Sequence, residues 1–287
     1  MIIVKLSGGL GNQLFQYAFG RHLATVNQKE LKLDTSALTK TSDWTNRSYA
    51  LDAFNIRAQE ATPEEIKALA GKPNRLLQRV GRKVGITPIQ YFQEPHFHFY
   101  SSALSIKSSH YLEGYWQSEK YFEAITPILR EEFAFTISPS THAQTIKEKI
   151  SNGTSVSIHL RRGDYVKTSK ANRYLRPLTM DYYQKAIDYI NQRVKNPNFF
   201  LFSDDIKWAK SQVTFPPTTH FSTGTSAHED LWLMTHCRHH IIANSTFSWW
   251  GAWLNQQPDK IVIAPQKWFS TERFDTKDLL PEPWIQL

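Results

Sequence analysis

Short apolar runs alternate with amphipathic stretches along this chain, and that alternation restricts the fold more than any other feature of the sequence. Met1 to Leu6 reads as a buried strand and Gly8-Gly9-Leu10-Gly11 as a tight turn. Asn12 then suits the cap of a helix running to about Val26, with Leu14, Phe15, Ala18, His22 and Val26 near one face, and Leu31 to Leu33 makes a second strand. Strand, glycine turn, helix, strand is the opening of a doubly wound α/β domain. Leu14 stands where the dinucleotide fingerprint requires a third glycine, so NAD binding is not inferred. Farther on, Thr62-Pro63-Glu64-Glu65 is a helix start, Tyr91 to Tyr100 an aromatic run, Tyr111 to Gly114 a strand, and Ser118 to Phe133 a helix. The second half repeats the rhythm. Met180 to Val194, a segment around Leu231 to His236, and Phe247 to Leu254 read as helices, while Phe199 to Ser203, His239 to Ala243 and Ile261 to Ala264 read as strands. Such alternation predicts parallel sheets. Phe135 to Ser140, with Pro139, is the expected boundary between two domains, residues 1–136 and 137–287.

Composition bounds the setting. At 287 residues the chain can bury a substantial core without staples, and its single cysteine, Cys237, fits a reducing compartment. Ile2-Ile3-Val4 is too short for a secretory core, and nowhere do ~18 apolar residues run together as a spanning helix needs. A cytoplasmic protein is therefore expected. A formal charge of +8 and a sequence pI near 9.4 imply an anionic partner: nucleotide, nucleic acid or acidic membrane. No helix-turn-helix, zinc or RNA-binding signature accompanies the charge, so nucleic acid is not expected. Nine tryptophans supply flat apolar faces of the kind that pack cores and that sugar rings stack on.

The chemistry concentrates at Ser157-Ile158-His159-Leu160-Arg161-Arg162-Gly163-Asp164-Tyr165. A strand from Val156 to Leu160 delivers a histidine, two arginines and a carboxylate into a turn at Gly163. Guanidinium groups present a fork of donors matched to phosphate oxygens, so the pair suits a diphosphate. Asn244-Ser245-Thr246-Phe247-Ser248 follows a strand and opens a helix, which directs unpaired amides and hydroxyls toward an anion; an ordinary Ser/Thr cap is the other reading. Ser203, Asp204 and Asp205 stand at the end of another strand, placed either to accept from a base or to cap the following helix. Asp204 and Asp205 are adjacent, and with no Asp-x-Asp pair a metal site is not expected. Arg162-Gly163-Asp164 is also a tripeptide that adhesion receptors read, so a carbohydrate-binding or adhesion protein is the contrasting class.

These motifs carry a resemblance. His-x-Arg-Arg-Gly-Asp-Tyr from His159, Phe202-Ser203-Asp204-Asp205, Ala243 through Leu254, Gly8 through Ala18, and Glu113-Gly114-Tyr115-Trp116-Gln117 are together similar to the bacterial α1,2-fucosyltransferases, glycosyltransferase family eleven. The resemblance implies two Rossmann-like domains facing across a cleft, the GT-B type, with the first domain on the acceptor side and the second binding the donor. It implies inverting, metal-independent transfer of L-fucose from GDP-β-L-fucose to the 2-hydroxyl of a terminal β-galactose in surface polysaccharide synthesis, no cofactor being needed. A fucosyltransferase of the same fold with another linkage or acceptor is the alternative. Arg161 matches the arginine that contacts the β-phosphate in related fucosyltransferases, with His159 beside it and Asp164 as the nearest carboxylate for a general base. Asp164 can equally be an ion-pair partner that orients the loop, and Arg162 reads as a structural partner. Gly11, Asn12 and Gln13 would face the cleft. Tyr115, Trp116 and Gln117 either bind the acceptor galactose or pack beneath it.

One further expectation comes from the residues alone. Between Asn74 and Val84, Leu76, Leu77, Val80 and Val84 fall on one helical face, with Arg75, Arg79, Arg82 and Lys83 on the rest. That pattern reads as an interfacial helix able to contact an anionic inner-membrane surface near a lipid-linked acceptor, or as a helix packed on its own domain.

Overall fold

Ile2, Ile3 and Val4 are fully buried because β1 (Ile2–Lys5) is covered on both faces, as an unbroken apolar run in a parallel sheet demands. The computed structural model describes residues 1–38, 48–71, 90–167, 174–212 and 215–287. The basic segment 74–84 lies outside the described residues.

The described residues form two compact units. In the first, β1 pairs in parallel with β2 (Leu31–Asp34) and β5 (His110–Glu113), and β3 (Gln59–Glu60) and β4 (Tyr91–Gln93) complete the order β3-β2-β1-β5-β4. The helix Leu10–Val26 lies close on this sheet at Gly20, which faces Val4 and Leu31, while its buried Phe15 and Phe19 meet Phe122 and Tyr121. It begins at Leu10, before the expected Asn12: Gly9 holds the cap position in extended conformation, and the Asn12 amide already donates to the Gly9 carbonyl at 3.0 Å. The helix Pro63–Ala70 starts at the expected Thr62-Pro63, and Glu65 completes a capping box with Thr62.

The single helix expected from Ser118 to Phe133 is replaced by two 3₁₀ turns, Glu119–Tyr121 and Glu123–Ile125, and a short α-helix, Thr126–Glu132. Pro127 is the physical reason: its ring excludes the carbonyl four residues back and it has no amide to donate, so a continuous helix cannot pass through it. It stands instead in the first turn of a new helix, where neither defect matters.

The second unit is a parallel sheet of β6 (Thr154–Leu160), β7 (Pro197–Ser203), β8 (Thr219–Phe221), β9 (His239–Ile241), β10 (Val262–Ala264) and β11 (Ile285–Gln286) in the order β11-β10-β9-β6-β7-β8. Counted from β6 this is the 3-2-1-4-5-6 winding of a nucleotide-binding Rossmann domain, and the direction of winding reverses between β6 and β9. Both faces are covered. Phe199 and Leu201 of β7 join Val156, Ile158, Tyr183, Ile187 and Ile190 on one side, while Phe200 and Phe202 meet Ile146, Ile150, Leu233 and Met234 on the other. Each of those phenylalanines contributes on the order of 2–3 kcal/mol through burial. Trp249, Trp250 and Trp253 of the helix Thr246–Leu254 are all core.

The chain does not divide at one point. The first unit extends to Ala134 and also takes in Asp275–Leu279, whereas Phe135–Phe274 and Leu280–Leu287 belong to the second. Asp278 fastens the returning segment: its carboxylate accepts from the Phe99 amide at 3.1 Å and from Lys120 Nζ at 2.6 Å. Among the described residues no helix is long and apolar enough to cross a membrane.

Candidate functional site at the carboxyl ends of the second sheet

Open α/β sheets bind ligands beyond the carboxyl ends of their strands where the winding reverses. In the second unit that place lies between Arg161, just past β6, and Asn244 to Ser248, just past β9. Strand register sets the rest: Leu160 is opposite Ser203 on β7, so Arg161 emerges beside Asp204.

Asp204 organises the turn after β6. One carboxylate oxygen accepts from the Arg162 amide at 2.9 Å, and the other from the Gly163 amide at 3.0 Å while lying 3.1 Å from Arg161 Nη1. Gly163 is required by this approach, since a β-carbon there would sit 2.7 Å from Asp204 Oδ2. Asp205 takes the other role open to the pair. Its carboxylate caps the helix Ile206–Gln212 by accepting from the Trp208 amide at 3.2 Å, and it pairs with Arg162 at 2.8 Å. Ser203 Oγ accepts from the Asp205 amide at 3.0 Å and steadies that turn. Arg162 also lies over the Trp208 ring, 4.4 Å from its centre. Arg162 is thus held sideways as a structural partner. Arg161, about one-fifth exposed, stays at the sheet end with its charge aligned by Asp204.

His159 is buried, with Nδ1 2.9 Å from Ser248 Oγ and its ring 5.5 Å from that of Phe247. Burial, helped by the neighbouring Arg161 charge, pushes its pKa down to about 3, so the ring is neutral at physiological pH. Ser248 Oγ also accepts from the Ala243 amide at 3.2 Å and reaches the Ser245 carbonyl at 3.3 Å, which ties the end of β6 to the start of the helix Thr246–Leu254. Ser245 precedes that helix without making a side-chain cap, so its first amides are not closed by the Ser245 hydroxyl. Asn244 is buried and donates to the carbonyls of Arg176 and Trp268, each at 3.0 Å, while its Oδ1 has no partner among the described residues.

Two tyrosines complete the frame. Tyr165 donates to the Asn244 carbonyl at 2.9 Å, and Tyr183 to the His159 carbonyl at 3.0 Å. Tyr165 sits inside the sequence motif, two residues past Gly163. Tyr183 carries no local signal, because its partner lies 24 residues away. Asp164 follows Gly163 in the short helix Gly163–Lys167.

Gly11, Asn12 and Gln13 belong to the other unit and fall in the first turn of the helix Leu10–Val26. The Gln13 side chain is wholly engaged: Nε2 donates to the carbonyls of Gly8 (3.0 Å) and Ser48 (2.9 Å), and Oε1 accepts from the Ala50 amide at 3.0 Å. It is a clamp for the 48–50 segment. Asn12 Oδ1 accepts from Gln117 Nε2 at 3.0 Å. Among the described residues no three His, Cys, Asp or Glu side chains converge as metal ligands would.

Comparison with known proteins places this architecture. The Bradyrhizobium fucosyltransferase NodZ superposes with a TM-score of 0.53 at 13% identity, covering 88% of this chain and 92% of that one, and NodZ soaked with GDP-fucose gives 0.52 at 12%. At such identity the likeness speaks for the fold: two Rossmann-like units of the GT-B class of glycosyltransferases. The model of glycosyl transferase family 11 matches residues 85–287, and the chain belongs to that family. It is 35% identical to an Escherichia coli alpha-1,2-colitosyltransferase over 100% of this chain and 99% of that protein. It is 33% identical to the E. coli O-antigen biosynthesis glycosyltransferase WbnK over 98% and 99% of the two chains. A mouse galactoside 2-alpha-L-fucosyltransferase, Sec1, is 29% identical over 99% of this chain and 73% of its own length.

Proposed function

We propose that this glycosyltransferase moves L-fucose from GDP-β-L-fucose, with inversion, to the 2-hydroxyl of a terminal β-galactose during O-antigen or related surface polysaccharide synthesis. The observation that carries the reading is the pairing, at one switch point, of the Asp204-aligned Arg161 guanidinium with the start of the helix Thr246–Leu254. Breaking a sugar–phosphate bond leaves a diphosphate whose negative charge grows as the sugar becomes oxocarbenium-like, and aligned donors stabilise it without a proton. Arg161 supplies the fixed charge, and the amides and hydroxyls of Ser245, Thr246 and Ser248 the dipole. No metal is needed in this scheme. His159, neutral and tied to Ser248, positions the helix start. Asp164, next to the arginine turn in sequence, takes the acceptor proton. Asn244 Oδ1, buried and unpartnered among the described residues, offers an acceptor toward the guanine edge. A lipid-linked acceptor, with docking of the basic segment 74–84 on anionic lipid, is part of the proposal and rests on sequence.

A second donor has its own support. The 35% identity to a colitosyltransferase over the whole chain favours GDP-colitose, whose sugar is fucose without its 3-hydroxyl. Incubation with either donor and a panel of β-galactosides, followed by linkage analysis, decides. Product linked α1,2 from GDP-fucose supports the first reading, and turnover confined to GDP-colitose replaces it with the second.

A further inference from the structure

The first unit has a switch point of its own, between β1 and β5, and an unusual device stands there. Past β5 the chain runs Gly114-Tyr115-Trp116, with Trp116 at φ 57, a left-handed conformation that a bulky aromatic residue adopts only when its surroundings impose it. What imposes it is Glu94, one residue past β4. Its amide extends the β4–β5 ladder by donating to the Glu113 carbonyl at 2.8 Å, and its carboxylate accepts from the amides of Tyr115 (2.7 Å) and Trp116 (3.0 Å). Gly114 makes room, since a β-carbon there would lie 2.5 Å from that of Glu94.

The two aromatic residues are then sent in opposite directions. Trp116 is fully buried, 4.3 Å from Phe19 and 6.0 Å from Phe92 between ring centres, whereas Tyr115 is 46% exposed. Burial pushes the Glu94 carboxyl up to about 7 against the pull of its two amide donors, the side chain being half-buried at the sheet end. A strained backbone, a half-buried carboxylate locked on two amides and a large aromatic face held out at the carboxyl ends of the strands together form a built site. An aromatic face beside a carboxylate is the chemistry that holds a pyranose, the ring against its C–H face and the oxygen lone pairs toward hydroxyls.

We propose that Glu94 is a positioning residue whose grip on the Tyr115 and Trp116 amides presents the Tyr115 ring as the stacking platform for the acceptor's pyranose. The inference rests on the reading of the chain as a transferase with a sugar acceptor; it adds Glu94, and it assigns the two alternatives open at Tyr115 and Trp116 to one residue each. Its test needs neither donor nor turnover. Saturation-transfer NMR titrations of methyl β-galactoside and methyl β-N-acetylglucosaminide are made on the intact chain, with calorimetric GDP titration and a melting curve on each variant. Tyr115→Ala should weaken binding of the preferred pyranoside roughly tenfold, the size of one lost aromatic contact, and Tyr115→Trp should retain it. Glu94→Gln keeps one acceptor oxygen and places an amide donor against an amide, so it should weaken the same sugar at least about threefold, with GDP affinity held within twofold. Equal sugar affinity in the wild type and Tyr115→Ala overturns the proposal, as does a wild type that binds neither pyranoside at 20 mM. A loss in Glu94→Gln that affects GDP and sugar alike overturns the positioning role. Failure of the wild type to bind GDP would instead count against the donor reading while leaving the sugar titration intact.

Discussion

Asp204 holds the arginine turn by three contacts, and replacing it with alanine should loosen that turn in a way that can be counted. The two amide bonds at 2.9 and 3.0 Å are to a charged acceptor, and the third contact is an ion pair at 3.1 Å with a side chain one-quarter exposed. Water can reach part of the site, so each amide bond contributes about 1 kcal/mol, below the range for fully buried charge-assisted bonds, and the ion pair adds about 0.5. Asp204→Ala should therefore cost about 2–3 kcal/mol, lowering the melting temperature by roughly 5–10 °C. GDP affinity should fall with it, because Arg161 loses its alignment. A double-mutant cycle isolates the cause. Gly163→Ala drives a methyl group against Asp204 Oδ2 at 2.7 Å, so its penalty should largely vanish once Asp204 is alanine. Calorimetric melting of the four proteins and GDP titration of each make the assay. Additivity of the two substitutions within about 0.5 kcal/mol, or an unchanged melting temperature with lost GDP affinity, would refute the argument and place the Asp204 carboxylate on the nucleotide instead.

Arg161→Ala should reduce turnover at saturating donor by at least about a hundredfold with the melting curve little changed, and lysine should not restore it, since the fork is lost; retention of a tenth of the activity would contradict the assignment. Ser248→Ala leaves the His159 ring and the Ala243 amide without their buried partner, and chemical denaturation should show a loss of about 2–4 kcal/mol. His159 has a folded pKa of about 3 against 6.5, so its folded form binds fewer protons between those values and its contribution is present above pH 6.5 and lost as pH falls toward 3. Between pH 6.5 and 4.5 the wild type should lose about 2–3 kcal/mol more than His159→Gln, the comparison cancelling the opposite trend of Glu94 and Asp230, whose carboxyls are raised to about 7 and 6. Activity should survive exhaustive treatment with EDTA; a complete loss that Mg²⁺ or Mn²⁺ restores would require a metal in the mechanism.

Strands and their parallel pairing were legible because an apolar run such as Phe199 to Phe202, buried on both faces, leaves its mark in residue type alone. The arginine turn and the helix start past β9 were legible for a related reason: each is a contiguous motif, and the pairing of β6 with β9 then brings them together at the carboxyl end of the sheet. What sequence could not supply was the division of labour within adjacent pairs. Asp204 and Asp205 are chemically equivalent until the β6–β7 register sets one beside Arg161 and the other at a helix start. The family resemblance implied a cleft role for Gln13, but its partners at Ser48 and Ala50 lie more than thirty residues away. Glu94 had no signal at all, since its role exists only once β4 and β5 pair and bring residue 115 to it. The unbroken helix expected from Ser118 fails at Pro127, which can open a helix but not continue one.

The return of Asp275–Leu279 to the first unit bears on how the protein is made. A ribosome delivers residues 1 to 134 early, yet the segment whose Asp278 closes on Phe99 and Lys120 emerges only after the whole second sheet except β11 has been synthesised. Domains ordinarily fold in the order of their synthesis. Here the first-begun unit keeps an open seam until residues 275–279 have been made, so it is completed only shortly ahead of the second unit, whose β11 follows, and a protease acting on nascent chains should find the earlier unit cleavable for most of the second unit's synthesis.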